Sequence, residues 1–400
     1  MREILGQGGE GQPSPWRRRL AAVAALLLLT GVIVAHLSGH ASAPAKPARV
    51  AAPPRSASIL PGAGGVAEPD GVGGHTLPWD TSVRLPVAGP RPVWLWPATG
   101  RTKPIGGLPP DSSGYQFTGV AGGWAVQASS GSAQPGCSGC AGPPRPVYFL
   151  GDNAQSVTQV GLADTVAPGA ASGTVWLTSY PPDADANTAA GTAREVSVTG
   201  KPLGPQLTLP PGYLIDQATD RGLLLAPVTQ RPGPPAYTLW DSSGAQPGRT
   251  FAGVIAASAG EIAWAPACDP LCRVQVLDLA TGRRTTVALP GASSAANAAF
   301  SPDGDFLALE VSFYNGGDDG ALATQLDVAS VASGRLTVVP GTWASSDALV
   351  SFGWPVSGDS LIAELSFTTK VQVTSWRPGA TRLAVAGIRP GPDSASLIVG

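Results

Sequence analysis

From residue 76 onward, short apolar runs alternate with clusters of Gly, Pro, Asp, Asn and Ser, and no stretch keeps a helical period of convincing length. The densest run is Phe306-Leu307-Ala308-Leu309-Glu310-Val311, and a continuous apolar run this short reads as a strand covered on both faces. Ala298-Ala299-Phe300 ends a strand before it. Thr324–Val328 and Leu336–Val339 supply two more after the polar stretch YNGGDDGA. The first two strands are joined by Ser301-Pro302-Asp303-Gly304-Asp305. Pro302 fixes its own φ and holds Ser301 extended, Asp303 can cap the turn through its carboxylate, and Gly304 can take a positive φ. The result is one small sheet of four antiparallel strands.

The same order returns along the chain. Val350–Trp354, a turn at Ser357-Gly358-Asp359, Leu361–Leu365, Val371–Val373 and Arg382–Val385 make the next unit. Earlier turns fall near Gly122, Gly173, Gly222 and Gly260. Second strands follow them at Gly123–Gln127, Thr174–Tyr180, Leu223–Ala226 and Glu261–Trp264, and third strands at Pro146–Leu150, Glu195–Val198, Ala236–Trp240 and Arg273–Leu277. Small-residue hairpins recur at 97–105, 278–291 and 331–341. Arg91–Trp96 and Thr102–Ile105 give the outer half of one more unit, whose inner strands are expected from Ser82–Pro86 and Ala395–Val399. A supersecondary unit repeating every few tens of residues predicts an all-β chain folded as a β-propeller of seven four-stranded blades, with six or eight as the alternatives. Pairing the two chain ends would remove an exposed sheet edge. Trp94, Trp96, Trp176, Trp240, Trp264, Trp354 and Trp376 fall on strands or strand edges and are expected to fill the space between blades.

Composition agrees with many turns: 52 Gly and 41 Pro in 400 residues. The formal net charge is −2, with 25 basic and 27 acidic side chains, so no basic surface for nucleic acid is implied. Residues 1–75 change the picture. Arg17, Arg18 and Arg19 precede an uncharged run from Leu20 to Leu37, which as a helix would be about 27 Å long, close to a bilayer core. The reading is a cytoplasmic basic arm over 1–19, a transmembrane helix or signal segment over 20–38, a disordered Pro/Ala/Gly-rich linker over 39–75, and an extracytoplasmic propeller over 76–400. The chain would then be a single-pass protein of the cell membrane, touching the bilayer through that helix. Cleavage after Ala43, in Ala41-Ser42-Ala43, would release a secreted form.

Cys137 and Cys140 lie in CSGC, and Cys268 and Cys272 in CDPLC. Outside the cell the simplest arrangement is a disulfide within each loop. Zinc and redox chemistry are the alternatives; the unequal spacers and the missing helix start speak against them.

Phe300–Ala308, FSPDGDFLA, resembles the repeat of TolB-like and WD40-like bacterial propellers, in which a Ser-Pro-Asp-Gly turn joins the first two strands of each blade. The matching positions are Ser301, Pro302, Asp303 and Gly304, with a partial match at Gly358 and Asp359. The layout as a whole looks like the membrane-anchored propellers of actinobacteria. Such a resemblance implies a fold, and related propellers serve as protein-interaction modules or precede a serine-peptidase domain. The G-x-S-x-G elbow of that peptidase type is absent from the sequence, and all three histidines, His36, His40 and His75, precede the ring.

Two functions compete. The first is an interaction or scaffold module for an envelope or membrane protein, using long loops at 129–145, 181–193 and 313–321. No catalytic residue, cofactor or metal is assigned. The second is an enzyme, or a binder of a glycan or small ligand, built on carboxylates around a central channel: Asp303, Asp305, Asp318, Asp319, Asp359 and Glu364. Asn315, Asp318, Asp319 and Trp343 are the candidate ligand or partner residues, and the loop at 315–319 has the oxygen groups to take calcium.

Overall fold

A computed structural model describes residues 79–80, 83–109, 114–128, 143–181, 184, 188–228, 234–241, 248–266, 268, 271–314, 322–342, 344–345, 349–355, 359–367 and 370–388. The basic arm, the run from Leu20 to Leu37, the linker, Cys137, Cys140, Asn315, Asp318, Asp319, Trp343, Gly358 and the segment 395–399 lie outside them. Among the described residues no helix is long and apolar enough to cross a membrane.

Strands form seven separate antiparallel sheets in chain order. Blade 1 holds β1 (Leu85–Val87), β2 (Val93–Trp96) and β3 (Arg101–Pro104). Blade 2 holds β4 (Tyr115–Val120), β5 (Gly123–Ala128), β6 (Arg145–Gly151) and β7 (Thr158–Ala163). Blade 3 holds β8 (Thr165–Pro168), β9 (Thr174–Ser179), β10 (Thr192–Ser197) and β11 (Leu207–Thr208). Blade 4 is β12 (Tyr213–Thr219), β13 (Gly222–Pro227), β14 (Ala236–Trp240) and β15 (Arg249–Ala252). Blade 5 is β16 (Val254–Ala257), β17 (Glu261–Trp264), β18 (Cys272–Asp278) and β19 (Arg284–Leu289). Blade 6 is β20 (Ser294–Phe300), β21 (Phe306–Tyr314), β22 (Leu322–Ser330) and β23 (Leu336–Val338), with a short β24 (Ala344–Ser345) also pairing β22. Blade 7 is β25 (Leu349–Gly353), β26 (Leu361–Phe367), β27 (Lys370–Trp376) and β28 (Ala384–Ile388).

Period-2 alternation explains how these sheets become a ring. Leu307, Leu309 and Val311 of β21 bury against blade 5, while Ala308 between them buries against blade 7. The same division holds for Leu223 and Leu225 against Leu224, and for Leu361, Ala363 and Leu365 against Ile362. A central strand that feeds two interfaces has no polar face, which is why these runs read as continuously apolar. Clusters of this kind occupy every junction between consecutive blades from 1–2 to 6–7. A further cluster joins Leu85 and Leu95 of blade 1 to Ile362 and Val373 of blade 7. The circuit is therefore closed, and the fold is a seven-bladed β-propeller.

The tryptophans sit at these junctions. Trp94 is fully buried and meets Trp124 edge-on at 5.6 Å between blades 1 and 2. Arg84 stacks over the Trp94 ring and donates to the Asp152 and Ala154 carbonyls, tying the first blade to the second. Trp354 donates through Nε1 to the Ala299 carbonyl at 3.0 Å, and Phe306 stacks on its ring. Trp176, Trp240, Trp264 and Trp376 pack at junctions likewise.

The turn Ser301–Asp305 is held by its own polar groups. The Ser301 hydroxyl donates to Asp303 Oδ1 at 2.6 Å and accepts from the Phe306 amide at 2.9 Å. Asp303 Oδ1 also accepts the Asp305 amide, and the hydroxyl contact first, then the amide, draws the Asp303 carboxyl below its ordinary value. Gly304 takes φ +76°, and a Cβ there would meet the Glu261 carboxylate at 2.8 Å.

Candidate functional site

Antiparallel order sorts the connections onto two rims. Turns between first and second strands and between third and fourth strands share one, here the turn rim. Links from second to third strands, and from each blade to the next, share the other, the loop rim. The turn rim holds Ser301, Pro302, Asp303, Gly304, Asp305 and Asp359. Glu364 lies further along β26 toward the loop rim, and Asp359 is engaged by Arg377 at 3.2 Å. The turn aspartates and Glu364 therefore do not converge on one channel site.

What the loop rim gathers differs from that expected set. Blade 5 contributes the disulfide between Cys268 and Cys272, which staples the short approach to β18. Leu271 inside the staple is 55% exposed, although apolar, and Tyr314 at the end of β21 in the next blade is 62% exposed. Across blades 2 to 4 the rim is polar and aromatic. Asp164, in the link from β7 to β8, accepts the Tyr180 amide at 2.7 Å, and the Tyr180 hydroxyl donates to the Tyr213 carbonyl at 3.3 Å. Burial raises the Asp164 carboxyl, offset in part by that amide and by Arg145. Burial and then the neighbouring Asp164 raise the Tyr180 phenol.

Innermost strands carry bulges where polar groups collect. In β12 the register shifts between Ile215 and Gln217, setting Asp216 out of the ladder. Asp216 is open to solvent yet closely walled by protein, and this confinement raises its carboxyl. Tyr237 nearby is raised by burial and then by Asp216. In β20 the shift between Ala295 and Ala298 frees Asn297, whose amide donates to Glu310 at 2.6 Å. In blade 7 the Ser351 hydroxyl reaches Glu364 at 3.3 Å, and Glu364 occupies the same place on β26 as Glu310 on β21. Among the described residues no group of three or more His, Cys, Asp or Glu side chains is placed to hold a metal ion.

Asp164, Tyr180, Asp216 and Asn297 carried no motif. A lone charged residue inside an innermost strand, as at Asp216 in Tyr213–Thr219, is the signal that marks such a position.

No family model matches the chain, and no curated protein sequence matches it. Solved structures are similar in fold. A prolyl endopeptidase is 15% identical, with 79% of this chain covering 50% of that one at a TM-score of 0.49. TolB from Acinetobacter baumannii is 12% identical, with 68% covering 65% and a TM-score of 0.37. A protein from Lactobacillus plantarum is 12% identical, with 79% covering 100% and a TM-score of 0.45. At these identities the likeness is one of fold alone.

Proposed function

We propose that the chain is a membrane-anchored, extracytoplasmic recognition module whose loop rim binds an envelope or membrane protein. The observation that carries this reading is the exposure of Leu271 and Tyr314 on one rim of adjacent blades, with Leu271 held in a disulfide-stapled loop. A rigid apolar contact costs little ordering entropy on binding, and aromatic anchors beside polar neighbours are the usual make-up of a binding hot spot. The anchored topology rests on Arg17–Arg19 followed by Leu20–Leu37, and the disulfide fits an oxidising compartment. A photoreactive phenylalanine analogue at position 314 or 271 of the full-length chain, irradiated in intact cells, should give one dominant protein adduct. The same analogue at Leu203, equally apolar but on the turn rim, should not. Equal labelling from both rims would contradict the assignment.

A second reading, a small polar ligand held in the channel, is favoured by Asp216 beside Tyr237 and by the paired Asn297–Glu310 contact. It would bring Asp216→Asn as the variant that loses ligand, while adducts at 314 stay unchanged.

A further inference from the structure

Opposite the loop rim, a cleft of about 720 Å³ opens between blades 6 and 7. Its floor includes Val328 and Trp376, both buried in the junction between the two blades. The blade 7 wall is the turn from Pro378 to Thr381, pinned by the Trp376 indole, which donates to the Ala380 carbonyl at 2.8 Å. The blade 6 wall is β23, the outermost strand of its sheet, paired with β22 on one edge and with nothing on the other among the described residues.

Alternation fixes what that free edge offers. The Val339 amide donates inward to Leu326, and the Arg335 carbonyl accepts inward from Ser330. Arg335, Thr337 and Val339 therefore turn their peptide groups toward β22, and Leu336 and Val338 turn theirs outward. The cleft is thus bordered by unpaired backbone donors and acceptors above a fixed apolar floor. Sheet edges of this kind accept an added strand, with backbone bonds giving affinity and side-chain pockets giving selectivity. Among the residues lining the cleft, Arg335 is the one with a charged side chain, and it makes no ion pair among the described residues; nearby Arg377 is already engaged by Asp359. The lining otherwise supplies hydroxyls, from Ser330, Ser333, Thr337 and Thr381.

From the free edge and the unmatched charge we infer that this cleft is a second docking site, which takes an extended segment of a partner protein carrying a carboxylate. The segment pairs with β23 through Leu336 and Val338 and places its carboxylate on the Arg335 guanidinium, where a charge-assisted bond adds selectivity. This site lies on the rim away from Leu271 and Tyr314, so it stands independently of the proposed loop-rim function.

The test uses the full-length chain and two fluorescent capped peptides of alternating valine and threonine, one with a central aspartate and one with asparagine there. Fluorescence anisotropy should show the aspartate peptide binding about tenfold more tightly, a difference erased in Arg335→Gln and by high salt. Val338→Pro removes one outward amide that no intramolecular bond uses, at an edge where proline is tolerated, and should abolish binding of both peptides without lowering the melting temperature. Hydrogen exchange should show new protection over residues 336–338 when peptide binds. Equal affinity for the two peptides, full binding by Val338→Pro, or protection appearing on the loop rim would overturn the proposal. So would protection at 336–338 that rises with protein concentration alone, which would mean that a second copy of the chain occupies the edge.

Discussion

Asp327 shows how much a single side chain can cost this fold. It lies on β22, 2% exposed, opposite Leu309 and Val338, and accepts from the Gln325 amide at 2.5 Å. Burial pushes its carboxyl up to about 6 from 3.8, and the Gln325 bond offsets part of that rise. An acid whose folded value lies above its unfolded one is held most easily when neutral. The penalty is therefore absent below the unfolded value, grows as pH rises from about 4 to 6, and is complete above it. Asp327→Asn keeps an oxygen to accept from Gln325 and removes the charge. It should stabilise the chain by roughly 2 kcal/mol at neutral pH and change little near pH 4, as read by urea denaturation. A variant equally stable or less stable at neutral pH would show that the carboxylate is solvated after all.

At the scale of elements, the hairpins carry most of the local specification. Ser301 bridges both ends of its turn, accepting from Phe306 and donating to Asp303, so Ser301→Ala should cost about 1–2 kcal/mol of thermal stability. Differential scanning calorimetry would check it, and an unchanged melting curve would mean that Pro302 and Gly304 suffice. Second strands were legible in the sequence because each is apolar on both faces, so runs such as Leu223–Ala226 stand out without any motif, and third strands such as Arg273–Leu277 follow them as an alternation of buried and polar residues. Innermost strands were harder to read. The bulges in β12 and β20 break the alternation and set Asp216 and Asn297 out of the ladder. For the same reason Asp216 and Asn297 carried no motif, whereas the turn role of Asp303 could be read from Ser-Pro-Asp-Gly. β24 is only two residues long and has no sequence signature at all.

Over the whole molecule, closure turns seven marginal sheets into one body. Blade 1 has three strands among the described residues, and its hold on the ring comes from Trp94 and Arg84 on the blade 2 side and from Leu85 and Leu95 on the blade 7 side. Both rims owe their geometry to that circuit: Leu271 and Tyr314 share a rim because their blades are locked in sequence, and the cleft beside β23 exists because blade 7 is held against blade 6.

The most direct measurement of closure is native-state hydrogen exchange of Ile362→Ala, which empties one side chain at the junction of blades 7 and 1. If the ring is closed, exchange should quicken in blade 1, over 85–87 and 93–96, as well as in blade 7, although the two lie at opposite ends of the described chain. Faster exchange confined to blades 6 and 7, with blade 1 unmoved, would contradict the closed propeller and with it the placement of both rims.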